Sequence, residues 1–311
     1  MTSFAQLKKR SKKNLSRLQK QIEDNQKGKS YQDDRFWSLA RDKSGNGSAI
    51  IRFLDSPQAD GDDGLPWVRR FEHAFQGPGG WYIEKCLTSI SQPCPCCARN
   101  TELWNSGSEA NKDIARDRKR KMHYISNILV VKDPMNPDND GKQFLFKYGQ
   151  YIKTMIDRMA VPEQDDLDES EKPSVNVFDF WQGADMKIRI RKTPHSFTYE
   201  DSDFQTPGPV CTGKTADAKI EELWKNSYSL QAFMNPEKEF KTTEKLQARL
   251  TLVLTGSQVS TTAEDDEVEE SPEQPVSTAV ESDSESETPA PTSDSEDLDY
   301  FATLVETGEE E

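Results

Sequence analysis

HAFQGPGGWYIEKCLTSISQPCPCC, residues 73–97, holds four of the chain's five cysteines and one of its three histidines. After His73 come twelve residues and Cys86, then seven more and Cys94, which forms a Cys-x-x-Cys pair with Cys97. Structural zinc takes four tetrahedral nitrogen or sulfur ligands, and one His with three Cys is a common set. A redox dithiol or a disulfide would need only Cys94 and Cys97, and would leave Cys86 and His73 without a purpose. Cys96 lies between the ligands and competes with Cys97 for the last place. Cys211 stands apart in a Pro/Gly-rich loop and reads as a bystander. The expectation is one structural Zn²⁺ on His73, Cys86, Cys94 and Cys97, with no open position for a catalytic water.

Around that site the composition is polar. Hydrophobic residues make up 33% of 311 and charged residues 31%, so part of the chain should not pack. No run of 18 apolar residues occurs and the N-terminus has no apolar h-region, which argues against a membrane span or secretory signal. Metal-bound thiols suit a reducing compartment better than a disulfide scaffold does.

The net charge of −15 hides three blocks. Residues 1–30 carry nine Lys/Arg against Glu23 and Asp24, and residues 261–311 carry 19 Asp/Glu with no Lys or Arg. Removing the tail leaves +4 for residues 1–260. This predicts a basic arm over 1–30, a core over 31–255 with a zinc subdomain at about 70–125, and a disordered acidic tail over 256–311. Lys8, Lys9, Arg10, Lys12 and Lys13 are too basic and too close to be core. Leu298, Tyr300, Phe301 and Leu304 form an acidic-apolar tip suited to docking.

Within the core, strands are predicted at Ala49–Leu54, Ile128–Val131, Gln143–Tyr148 and Met186–Arg191, and helices at Lys219–Trp224 and Thr243–Val253. Strict alternation in the fourth strand places Lys187, Arg189 and Arg191 on one face. The fold class expected is β-rich α+β, a small barrel carrying an embedded zinc subdomain.

Two motifs point to enzymes. Gly208-Pro209-Val210-Cys211-Thr212-Gly213-Lys214-Thr215 fits the G-x-x-x-x-G-K-T of a phosphate-binding loop. The acidic run Tyr199-Glu200-Asp201-Ser202-Asp203 before it is no buried strand, and Pro209 removes an N–H donor. Asn136-x-Asp138-x-Asp140-Gly141 opens like a calcium loop, but Lys147 stands where a bidentate Glu belongs. A non-enzymatic binding surface remains. Cations at Arg116, Arg118, Lys119, Arg120 and Lys121 are interleaved with aromatics at Tyr124, Phe146, Tyr148, Phe197 and Tyr199. That pattern suits single-stranded nucleic acid, where phosphates meet Lys/Arg and bases stack on rings. About half of these aromatics, taken singly, are equally readable as core.

Three segments resemble the single-stranded DNA-binding, helix-destabilising proteins of T-even-type bacteriophages. They are Gly45-Asn46-Gly47 with Ile51-Arg52-Phe53-Leu54, Trp81-Tyr82-Ile83-Glu84 leading through Cys86 to Cys94 and Cys97, and Lys119 to Pro134. The resemblance implies an oligonucleotide-binding (OB-fold) barrel, a His-Cys₃ metal site that leaves Cys96 out, and cleft aromatics at Tyr124, Phe146, Phe197 and Tyr199, with Trp104 a weaker match. It also implies cooperative self-contacts through the arm and a tail that recruits phage replication and recombination proteins: polymerase, helicase loader, primase, recombinase or its mediator. The setting implied is the cytoplasm of an infected bacterial host. Ile125 departs from the family in replacing an aromatic neighbour of Tyr124. A zinc-containing RNA-binding regulator and a P-loop nucleotide hydrolase are the alternatives.

Overall fold

The computed structural model describes residues 33–61, 64–162, 173–194 and 196–256. The arm and tail residues named above lie outside them. Nine strands form one mixed sheet: β1 (Phe36–Trp37), β2 (Gly47–Phe53), β3 (Val68–Gly77), β4 (Gly80–Lys85), β5 (Lys121–Lys132), β6 (Gln143–Tyr148), β7 (Asp185–Lys192), β8 (Phe197–Thr198) and β9 (Asp203–Phe204). Among the described residues six α-helices accompany them: α1 (Pro95–Trp104), α2 (Glu109–Asp117), α3 (Gln150–Ala160), α4 (Ala216–Asn226), α5 (Pro236–Glu239) and α6 (Thr243–Thr255). No described helix is long and apolar enough to cross a membrane.

β5 is the spine. Tyr124 to Val130 are buried without interruption, as a strand covered on both faces must be. Along one edge β3 pairs with its first half and β2 with its second, while β6 runs along the other edge. The two polar residues in this buried run are satisfied. Ser126 Oγ shares a hydrogen bond with Tyr148 OH at 3.0 Å. The Asn127 amide donates to Tyr228 O and accepts from Tyr228 N, acting as a substitute strand partner.

The four predicted strands and two predicted helices are present, β6 with the predicted bounds, β2 starting earlier and ending one residue sooner, and the others longer. The closed barrel expected of them is not the arrangement of the described residues. The ladder runs open as β1-β6-β5-β2-β7-β8, with β3 and β4 branching from β5 and β9 pairing with β7. The terminal strands β1 and β8 have two residues each, too few to carry a closing ladder.

Two cores flank β5. The larger joins Ile51, Phe53, Ile128, Val130, Met186 and Ile188 to the rings of Trp37, Tyr124, Phe146 and Tyr148. The smaller gathers Phe75, Tyr82, Cys86, Leu87 and the cysteines of α1 under Leu246, Leu250 and Val253 of α6. These three α6 residues recur at helical spacing, so one stripe is apolar. Thr242 Oγ1 caps the helix by accepting from Lys245 N, and Gly256 ends it at φ 69°.

Candidate metal centre and nucleic-acid face

The β3–β4 hairpin turns His73, Phe75 and Tyr82 toward the smaller core. Cys86 follows β4. Cys94 is the N-cap of α1, with Pro95 in the first turn. A Cys-x-x-Cys across a helix start therefore places two sulfurs where the positive end of the helix favours thiolates. The ligand atoms of His73, Cys86, Cys94 and Cys97 all lie within 4.8 Å of one another, and all four residues are buried.

Their separations test whether an ion fits. Four ligands about 2.3 Å from a tetrahedral zinc sit roughly 3.7 Å from one another. Cys86 Sγ lies 3.5 Å from Cys97 Sγ, and His73 Nε2 lies 3.7 Å from Cys94 Sγ and 3.4 Å from Cys97 Sγ. The residues fit a zinc-sized ion.

The imidazole is aimed from behind. His73 Nδ1 is 3.0 Å from the carbonyl of Arg118, which can only accept, so Nδ1 carries the hydrogen there and Nε2 faces the sulfurs. Cys96 Sγ lies 3.4 Å from that same Nδ1, on the far side of the ring from the other thiols. Without an ion, burial pulls the His73 imidazole down, but hydrogen bonds to Cys86, Cys94 and Cys96 outweigh it and raise it. Thiolates packed this closely favour a positive charge among them, which a bound cation would supply. Cys211 packs with Leu54, Leu129, Phe180 and Ile220, away from this cluster.

The basic run ahead of β5 divides. Arg116 is exposed, paired with Asp113 at 2.6 Å and 5.3 Å over the half-buried Trp104 ring. Lys112, which the sequence reading missed, lies 5.8 Å over the same ring. Arg118 lies 5.3 Å over Phe75, and burial lowers its guanidinium. Arg120 lies 4.2 Å over Phe71. Both of these arginines turn toward β3, while Lys119 is half-buried and Lys121 exposed.

The aromatics divide as well. Tyr124, Phe146 and Tyr148 are buried and stacked, with centroids 5.7 and 5.6 Å apart. Burial raises the Tyr148 phenol. Phe197 is 43% exposed, with the Arg41 guanidinium 4.4 Å over its ring. Tyr199 is half-buried, and burial raises its phenol although Arg41 opposes this. On β7 the alternation holds: Met186, Ile188 and Ile190 are buried, Lys187 and Arg189 half-buried, and Arg191 exposed and paired with Asp201 at 2.5 Å. A cleft of about 410 Å³ opens beside this strand, lined by Asp42, Ser48, Met135, Arg189 and Arg191 among others.

Arg41 and Lys153 were not legible beforehand. Arg41 is one cation ahead of a turn. Lys153, only 8% exposed, lies 4.6 Å over Trp67 and 5.6 Å over Tyr124 and is paired with Asp157. Its place beside Ile152 in α3 was the one available signal.

The motifs suggestive of enzymes have structural explanations. Gly208 N donates to Gly183 O and Val210 N to Phe180 O, both at 2.8 Å, so these donors of the Gly208–Thr215 loop are engaged inside the protein. The strand before it, β9, has two residues. Asp140 Oδ1 accepts from Asp133 N, and Asp133 Oδ2 accepts from Trp37 Nε1, so these carboxylates build the β5–β6 turn.

Residues 45–254 match the family described as gp32 DNA binding protein like. The chain is 31% identical over 251 residues to the single-stranded DNA-binding protein of Enterobacteria phage T2, covering 79% of each. It is 31% identical over 232 residues to the protein of that name from Enterobacteria phage T4, covering 73% of each. A protein of the same name from Escherichia phage SV14 is 32% identical over 106 residues, 33% of this chain and 91% of that one. With more than half the chain matched to one family and its metal-ligand set assembled, the protein belongs to the gp32 DNA-binding-protein-like family.

Proposed function

We propose that this protein coats single-stranded DNA cooperatively and without sequence preference, serving phage DNA replication, recombination and repair in the cytoplasm of the infected host. It does so as a binding protein and not as an enzyme. The observation that carries the reading is the outer face of β7: Lys187, Arg189 and Arg191 at two-residue spacing, beside a cleft and the exposed Phe197 ring under Arg41. Cations at that spacing match successive phosphates, and each base stacked on a ring contributes about 1–3 kcal/mol whatever its identity. The names of the relatives support the same ligand.

In this reading Trp104, Arg116, Lys119, Lys121 and Tyr199 extend the contact surface. The stacked Tyr124, Phe146 and Tyr148 back it from the core. Zn²⁺ on His73, Cys86, Cys94 and Cys97 is structural and orders the subdomain beside the cleft. The arm, through Lys8, Lys9, Arg10, Lys12 and Lys13, joins neighbouring copies on the strand. The tip around Leu298, Tyr300, Phe301 and Leu304 receives replication and recombination partners.

A salt-dependent titration against single-stranded DNA, duplex and RNA tests this. Single strands should bind tightest, with log affinity falling by about 0.7 per phosphate contact per decade of salt. Preference for RNA would favour a zinc-containing RNA-binding regulator, and equal affinity for duplex would refute the proposal.

A further inference from the structure

Thr88 joins the cysteine cluster to the basic run ahead of β5. Its Oγ1 lies 3.1 Å from Cys86 Sγ, a metal ligand, and 2.6 Å from Nη1 of Arg120, a member of the basic run. The direction of these bonds follows from chemistry. A guanidinium has donors only, so Arg120 donates and the Thr88 oxygen accepts. The hydroxyl hydrogen of Thr88 is then directed to sulfur, and a metal-bound thiolate can only accept it.

We propose that Arg120 and Thr88 form an outer shell of the metal site, a relay Arg120→Thr88→Cys86 that ties the entry of β5 to the ion. It rests on the reading that the cluster holds Zn²⁺. Thr88 is the positioning residue for the Cys86 thiolate, and Arg120 positions Thr88 rather than a phosphate. The guanidinium is placed for this by the Phe71 ring, 4.2 Å away. The backbone of Phe71 is itself clasped: its carbonyl accepts from Cys86 N at 2.9 Å and its N–H donates to Ser89 Oγ at 2.8 Å.

A second fastening acts on the same segment. The Arg118 carbonyl accepts from His73 Nδ1 at 3.0 Å and from Asn100 Nδ2 at 2.9 Å. Two ligands, Cys86 and His73, thus each hold one residue of the three that lead into β5. Hydrogen bonds to ligand atoms from outside the first sphere orient them and typically change metal affinity by about 10–100-fold when removed. Loss of the ion would therefore release Arg118–Arg120 and, with them, the aim of Lys121.

The test uses the full-length protein loaded with Zn²⁺ or Co²⁺. Thr88→Val keeps the shape and removes the hydroxyl. It should lower metal affinity by about 10–100-fold in chelator competition and shift the thiolate-to-cobalt charge-transfer band. Thr88→Ser should restore both. Arg120→Ala should move both readouts in the same direction, and the double variant Thr88→Val/Arg120→Ala should lose no more than Thr88→Val alone. Wild-type affinity and an unshifted band in Thr88→Val would overturn the relay, as would losses that simply add. Zinc-free wild-type protein by elemental analysis would instead refute the metal reading beneath it.

Discussion

Gly79 donates its backbone N–H to the carbonyl of Val253 at 2.8 Å, so the turn between β3 and β4 closes against the last turn of α6. A Cβ on Gly79 would lie 2.0 Å from Leu252 O, and one on Gly77 2.4 Å from Val253 O. The approach is possible only for glycine, and it seats the helix that covers the core holding His73 and the cysteine cluster. Gly79→Ala should push α6 outward, lowering stability by about 1–3 kcal/mol and speeding metal loss. Thermal melting with and without chelator checks this, and an unchanged midpoint would mean that the helix is seated by other contacts.

Metal removal separates the cysteines. Cys86→Ser, Cys94→Ser and Cys97→Ser should each release zinc and lower the melting temperature, because binding energy in such a site is folding energy. Cys96→Ser should retain one zinc per chain, since its sulfur lies on the Nδ1 side of His73. Elemental analysis of the four variants decides it, and the expectation fails if Cys96→Ser loses its metal as readily as the other three.

Acid should destabilise the protein through β5 and β3. Burial, then the nearby Lys147, Arg70 and Lys121 charges, lower the His123 imidazole to about 4, with Glu72 opposing. Between an unfolded value near 6.5 and that folded value, the unfolded chain binds a proton that the folded one refuses, so stability falls as pH falls. The loss is about 3 kcal/mol at most. Glu72 adds to it lower down: burial raises its carboxyl, but Lys147 and Arg70 outweigh this, and that stabilisation is lost as the group protonates. Urea unfolding from pH 8 to 4 should be flat above about 7 and decline below. His123→Asn should flatten the upper part of the decline, and an unaltered profile would contradict the assignment.

Stacking and charge should separate on DNA. Phe197→Ala should weaken single-strand binding by about 1–3 kcal/mol at every salt concentration and leave the salt slope alone. Arg191→Gln should instead reduce the slope by about 0.7. The Arg191–Asp201 pair is exposed and costs little to exchange for a phosphate. If both variants alter the slope equally, Phe197 acts by holding Arg41 and not by stacking.

Deleting residues 257–311 should strengthen binding to duplex and single strands at low salt, because 19 carboxylates beside a basic surface compete with phosphates within a Debye length of about 8 Å. Deleting residues 1–20 should remove cooperativity while leaving short-oligonucleotide affinity nearly intact. Titrations of each truncation on short and long strands read both effects. An arm deletion that weakens short and long strands alike would identify the arm as a plain DNA clamp.

The His73, Cys86, Cys94 and Cys97 cluster was legible because its chemistry is local. Cys94 and Cys97 sit in one helical turn, and few other jobs need three cysteines and a histidine so close in the chain. The Met186–Arg191 strand was legible too, since two-residue alternation reports a sheet with one dry face. The residues that reach across the fold were not. Leu246, Leu250 and Val253 announce a helix with one apolar stripe, but nothing local says that the stripe lies on Cys86 and Tyr82. Tyr124, Phe146 and Tyr148 are aromatics on strands in the sequence, and only the pairing of β5 with β6 buries them as one stack. Arg118 and Arg120 belong to a run of cations, and only their seats over Phe75 and Phe71 turn them inward. By itself the sequence determined the ligand set, the strand faces and the division of charge, because each depends on residues a few positions apart. Tertiary structure alone decided the open path of the sheet, the helix over the cysteine-bearing core and the inward arginines, because strand pairing and burial bring together residues whose separation along the chain carries no signal.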